Sequence, residues 1–245
     1  MNLFHTRGVP AGLIALLFAV VARVMGSVTD GGAIAGIAVA FILMITAGFA
    51  GFLPLLTLFA LTVVATRWGR RRKERLGLAE RSGGRRGSQV LANLGAAGCC
   101  ALPVLWFPEF SDLLFAGAMA ALAEAAADTV SSEIGQASPR GAYLIVGLSR
   151  VPAGTNGALS VPGTLTGIIA ACLVAWVSGA ARVVDWNWVP VIAAAGTVGM
   201  LFDSLLGATL ENAGRMGNDA VNFVSTTFAA DLALVIGIVM ARLAH

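Results

Sequence analysis

Stretches of about twenty mostly apolar residues recur along this chain from end to end, and that recurrence leaves few folds open. A helix needs about 20 such residues to cross a bilayer. Candidate spans fall at 9–27, 32–50, 52–67, 88–107, 111–128, 162–182, 188–206 and 222–243. Only the region of Gly51 separates the second from the third, so these are two spans or one broken pair. Pro54 suits the first turn of the third, where a missing N–H does no harm. Of the 245 residues 58% are hydrophobic and 12% charged, about half the charged share of a soluble domain. No period-two alternation supports a β-barrel. The 30 glycines suit helices that approach closely in lipid. The expected fold is all-α: one integral membrane domain over 1–245, a bundle of about seven or eight spans.

The segment from Arg67 to Arg86 holds nine of the sixteen basic residues. By the positive-inside rule it is a cytoplasmic loop, 67–87. Both termini then lie outside, 129–161 and 207–221 become cytoplasmic loops, and Arg23, Arg140, Arg150 and Arg215 join that face. Only Arg7, Arg182 and Arg242 fall opposite. The basic loop reads first as a topology signal beside anionic headgroups. Its last members, Arg85 and Arg86, precede a helix start near Ser88, where a phosphate is favoured. No Arg- and Ser-rich transit segment precedes the first span, so a prokaryotic inner membrane is expected.

Four polar stretches share that face. Gln89 and Asn93 stand four residues apart at the start of the fourth span. "AEAAADTVSSEIG" closes the fifth with Glu124, Asp128 and Glu133. "GTNGALSVPGT", Gly154–Thr164, leads into the sixth, and 203–223 joins the seventh to the eighth. Glu124 and Asp128 project from one helix face, and a lone carboxylate at the bilayer centre costs about 2.5–3.5 kcal/mol. A divalent cation or a basic partner would offset it, with Asp203 as a further oxygen ligand from another span. Mg²⁺ favours one or two carboxylates completed by water and substrate phosphates. A structural network with Arg140, Arg150 or Arg215 is the plainer alternative, and a proton or cation pathway is the third. The 154–164 loop has the glycines and hydroxyls of a phosphate cradle but not the spacing of a P-loop. Asn218 and Asn222, also four apart, bind substrate oxygens or bridge helices.

Other residues argue by exclusion. His5 and His245 are the two histidines and both are terminal, which leaves no triad and no His-ligated zinc. Cys99, Cys100 and Cys172 lack ligand spacing and read as small core residues. Trp106, Trp176, Trp186 and Trp188 fit an interfacial belt. Asp231, deep in the last span, reads as part of an internal polar network. The basic excess sits in one loop, so nucleic acid is no expected partner.

Taken in order, "QVLAN", "ADTVSSEIG", "GTNGALSVPGT", "DSLLGATLE" and "NDAVNF" resemble the transmembrane protein 19-like family, which includes the phytyl-phosphate kinase of plant chloroplasts. The resemblance runs from about Thr29 to the C-terminus. It implies a kinase that converts an isoprenoid monophosphate to its diphosphate, with CTP as the expected donor and membrane lipids around it. The positions it carries over are Gln89, Asn93, Asp128, Ser132, Glu133, Gly154, Thr155, Asn156, Gly157, Ser160, Gly163, Thr164, Asp203, Ser204, Gly207, Thr209, Asn218 and Asn222. Leu94, Ala158 and Glu211 depart from the family pattern.

The combined expectation gives Mg²⁺ to Asp128, Asp203 and Glu133, with Glu124 beside them. The loop holds the nucleotide phosphates, and Arg86 or Arg150 neutralises the transferred group. Two rivals stay open. One is a transporter or flippase for a phosphorylated lipid or small anion; the other is a cytidylyltransferase forming a CDP-lipid. Chain length of the isoprenoid, choice of donor and oligomeric state, a homo-oligomer included, are not written in the sequence.

Overall fold

The computed structural model describes residues 8–79, 83–139 and 141–243. His5, Arg7, Arg81, Arg140 and His245 lie outside the described residues. Helix α1 (Val9–Val24) is followed by α2 (Asp30–Ala47), α3 (Phe49–Arg67) and a short α4 (Arg70–Arg75). Next come α5 (Gly87–Ala101), extended by a 3₁₀ turn to Leu105, and α6 (Ser111–Ala137). Three short strands follow: β1 (Ala142–Leu144), β2 (Arg150–Val151) and β3 (Ala158–Leu159). Helices α7 (Val161–Ala180), α8 (Trp188–Leu206) and α9 (Asn218–Leu243) complete the fold, with a π-turn at Gly207–Glu211 after α8.

Among the described residues seven helices are long and apolar enough to cross a membrane, one fewer than the eight apolar runs. The first run gives a shorter helix. At 16 residues, α1 rises only about 24 Å, short of a hydrocarbon core of about 30 Å. Its buried face is a stripe of alanines, Ala11, Ala15, Ala19 and Ala22, packed on α2, while Leu13, Leu16 and Leu17 face outward. The second and third runs form a hairpin that reverses at Gly48, whose φ of +68° suits glycine. Pro54 is not in the first turn: it lies inside α3, because the helix already begins at Phe49.

Helix α6 is the axis of the bundle. It packs on α3, α5, α7, α8 and α9, and its run from Phe115 to Ala127 is buried throughout. Alanines make this possible, since small side chains let backbones approach where lipid supplies no hydrophobic drive. The helix also outruns the expected boundary at 128. Residues 129–137 continue it, with no proline until Pro139, so the loop expected over 129–161 begins only after Ala137. Glu124 and Asp128 therefore sit within the helix, Asp128 about 14 Å from its end at 1.5 Å per residue.

Three other expectations change. Trp188 packs into the bundle against Gly237, whereas Trp106, Trp176 and Trp186 are exposed as a belt requires. Cys99 and Cys172 face outward rather than into the core. Asp231 is likewise on the outer surface of α9, near Cys100, and not in an internal network. The cause is common to all three: hydropathy marks a residue as membrane-embedded without saying which way it points.

Candidate functional site

The ends of α3, α6 and α8 and the starts of α2, α5, α7 and α9 meet at one end of the bundle. Backbone bonds tie them together there. Arg85 N donates to Ser27 O and Thr29 N donates to Arg85 O, both at 3.0 Å. A Cβ on Gly32 would collide with that same Arg85 carbonyl. The turn before α2 and the segment before α5 are thus locked, and the Arg85 side chain leaves from a fixed point. Its guanidinium reaches Thr129 Oγ1 at 3.5 Å, beside Asp128, with which it interacts electrostatically.

Asp128 and Asp203 are brought together from α6 and α8, their carboxyl groups within hydrogen-bonding reach of each other. Ser225 of α9 donates to Asp203 Oδ2 at 2.9 Å. One turn deeper, Glu124 is buried against Gly199 and Ala229. A Cβ on Gly199 would come within 2.6 Å of Glu124 Cγ, so glycine is what admits the glutamate. Its Oε1 has no hydrogen-bond partner. The π-turn widens the end of α8, a feature that recurs at functional sites, and turns Glu211 toward the two aspartates.

The glycine loop lies directly beside this pair. Strand β1 pairs antiparallel with β2 and with β3, in the order β2-β1-β3, which folds the loop into a small sheet. Gly157, with φ +73°, packs on Ser204 and Ala208 of the α8 end, and Gly207 faces Gly157 in return. Asn212 Nδ2 donates to Asn156 O at 3.2 Å. On its other side Ser160 caps α7 through Gly163 N at 3.1 Å, and Gly163 fits against Ser131 of α6.

Several expected residues stand elsewhere or are engaged in structure. Glu133 does not join the aspartates. It lies five residues beyond Asp128, about 140° around the helix at 100° per residue, and forms an ion pair with Lys73. Thr66 Oγ1 also donates to it, at 3.2 Å. The four-carboxylate metal set is therefore not assembled. Among the described residues no three acids, histidines or cysteines form a ready ligand cluster. Arg86 is exposed and caps α5 with Gln89, its N–H donating to Gln89 Oε1 at 2.9 Å. Arg150 is exposed on β2. Asn93 is buried, donating to Gln89 O at 2.8 Å. Ser132 accepts from Gln136 at 3.1 Å, and Thr155 turns onto Pro152 O at 2.9 Å. Gly154 packs on Leu78, and Thr209 bonds back to Leu205 O at 2.7 Å. Thr164 is half-buried at the start of α7, and Asn218 is exposed at the start of α9. The carbonyl of Asn222 accepts from Ser225 and Thr226 at 3.1 and 2.9 Å.

Some participants carried no distinct sequence signal. Lys73 looks like any member of its basic run, yet it is 1% exposed and donates to Ala65 O and Thr66 O at 3.2 and 2.8 Å. Ser225 is one hydroxyl among many in α9.

The donors around the aspartates are carboxylate and hydroxyl oxygens, which suits a hard cation. Two carboxyl groups in contact need a proton or a cation between them, and Glu124 adds an oxygen without a partner behind them. The chain's residues therefore fit Mg²⁺ held by two carboxylates, with its remaining positions left to water and phosphate.

The model of the DUF92 integral membrane protein family matches residues 13–230. An uncharacterized membrane protein of Synechocystis is 34% identical over 190 residues, 76% of this chain and 74% of its own length. Protein VTE6, chloroplastic, of Arabidopsis thaliana is 33% identical over 211 residues, 82% of this chain but only 63% of that protein. An uncharacterized membrane protein of Methanocaldococcus jannaschii is 31% identical over 228 residues, 91% of this chain and 92% of its own. No solved structure matches the chain. The family-level resemblance drawn from the five motifs is borne out, and the chain belongs to the DUF92 family of integral membrane proteins.

Proposed function

We propose that this protein is an isoprenoid-monophosphate kinase, transferring the γ-phosphoryl group of a nucleoside triphosphate, CTP by the family resemblance, to a phytyl- or geranylgeranyl-type monophosphate. The observation that carries the reading is the Asp128–Asp203 pair, reached by Arg85 and flanked by the glycine loop. The polar end of the bundle then faces the cytoplasm of a prokaryotic inner membrane, where nucleotide is available.

Asp128 and Asp203 would hold Mg²⁺, which when bound neutralises phosphate charge and orients the transferring group. Arg85 offers a cation to the phosphates from beside Asp128. The loop, held by Gly157 against Ser204, presents backbone and hydroxyl groups next to the pair. Glu124 and Ser225 support the aspartates from below. An oxygen of the acceptor phosphate attacks the γ-phosphorus, the bond to the β–γ bridging oxygen breaks, and its electron pair leaves on the nucleoside diphosphate. The acceptor is already ionised at neutral pH, so no general base is needed, and the chemistry reduces to alignment and charge neutralisation.

The test uses purified protein, Mg²⁺, geranylgeranyl monophosphate and γ-labelled CTP. Label should enter the lipid as diphosphate, and Asp128→Asn, Asp203→Asn or chelation of the metal should abolish it. Label entering from α-labelled CTP instead would refute the kinase in favour of cytidylyl transfer. No label from either, with lipid still bound, would turn the assignment to transport.

A further inference from the structure

A cavity of about 320 Å³ opens at the same end of the bundle, between α1, α2, α3 and α5. Its walls are apolar or small: Phe18, Leu55, Leu58 and Phe59 on two sides, Gly36 and Ala33 on a third. Its mouth is the reverse, carrying Arg67, Arg70 and Arg85. From Leu55 to Arg67 the wall rises about 18 Å along α3 at 1.5 Å per residue. An apolar cavity of this volume and length, lined by arginines at one end, matches an amphiphile with a hydrocarbon chain and an anionic head.

Two observations tie the slot to a ligand. Thr62 lines it, is nine-tenths buried, and its hydroxyl has no hydrogen-bond partner. A helical threonine normally bonds back to the carbonyl four residues earlier, as Thr46, Thr57 and Thr197 do here at 2.8, 2.9 and 2.8 Å. Thr62 stands about 8 Å below Arg67 along the helix, the level of the ester oxygen of a phosphate held at the mouth. Arg85 is the second link: it lines the cavity and reaches Thr129, next to Asp128.

We infer that this cavity is the acceptor-lipid site, holding the chain of an isoprenoid monophosphate between α1, α2 and α3 with its phosphate at the three arginines. The kinase reading supplies the identity of the head group. Arg85 then serves both substrates' phosphates, and the floor of the slot, at Leu55 and Gly36, measures chain length. Gly36 is the position at which to alter that floor, because a Cβ there meets nothing within 4 Å.

The experiment is photo-crosslinking of full-length protein in detergent with a diazirine-tailed geranylgeranyl monophosphate, mapped by mass spectrometry. Labelled peptides should come from α2 and α3, and geranylgeranyl monophosphate should displace the probe while inorganic phosphate does not. Gly36→Phe should lower kcat/KM for geranylgeranyl monophosphate about tenfold or more and spare geranyl monophosphate, and Gly36→Leu should do the same to a lesser degree. Thr62→Val should raise KM for the lipid about threefold without changing that for nucleotide. Crosslinks outside the cavity, equal displacement by phosphatidic acid, or unchanged chain preference in both Gly36 variants would overturn the inference and leave the kinase standing. Crosslinks in the cavity without any turnover would uphold the lipid site and sink the kinase instead.

Discussion

Replacing Glu133 by leucine separates a structural acid from a catalytic one. Lys73 is 1% exposed and its ammonium is answered by the Glu133 carboxylate and two backbone carbonyls. Removing one member of a buried pair strands the other charge, at a cost of about 3–5 kcal/mol. The two carbonyls survive the substitution, which puts Glu133→Leu near the lower bound. For a chain of this size each kcal/mol moves Tm about 2–4 °C, so a cost of about 3 kcal/mol lowers it by about 6–12 °C. Adding Lys73→Met removes the stranded charge, and apolar replacement of a buried pair of similar volume is near neutral or stabilising. The double variant should therefore melt close to wild type. Fluorescence-detected size exclusion of heated detergent samples reads both effects, and phosphoryl transfer below the lower Tm reads function. A double variant that stays as unstable as Glu133→Leu would refute the ion-pair argument. One that recovers stability yet transfers no phosphoryl group would return Glu133 to the catalytic set.

Two more expectations follow from the same end of the bundle. Gly157→Ala places a Cβ against Ala208 and Ser204 at a positive φ; it should raise KM for nucleotide several-fold and lower Tm, and normal kinetics would show that the loop does not depend on this contact. Arg85→Gln should cost far more activity than Arg86→Gln, by about 10²-fold as for loss of a charge-stabilising donor, and equal losses in a direct kinetic comparison would contradict the placement of Arg85 beside Asp128.

The spans were legible because lipid demands apolar length, and seven helices among the described residues obey that demand. The meeting of Asp128 and Asp203 at one end was legible too, since alternating crossings bring the ends of α6 and α8 together. What the residues concealed was orientation and depth. Composition treats Lys73 and its arginine neighbours alike, yet only tertiary packing could draw the lysine inward to Glu133. Arg85 and Arg86 are adjacent and chemically identical, and the backbone bonds that Arg85 makes to Ser27 O and accepts from Thr29 N decide which one faces the acids. The end of α6 was misjudged because a carboxylate suggests an interface, while the alanines before Asp128 favour helix strongly and no proline stops it before Pro139. Glu133 failed by geometry alone: a spacing of five turns a side chain away where four would have kept it in line.

Helix α6 meets five other spanning helices and is buried without a break from Phe115 to Ala127. The acids it carries are thus positioned by protein and not by the bilayer. A membrane thicker or thinner by a few ångströms is accommodated by tilt or by local deformation at the lipid-facing helices. The distance from Asp128 to Asp203 need not change in the process. A shielded axis gives such a fold a way to keep one reaction geometry while its solvent is exchanged around it.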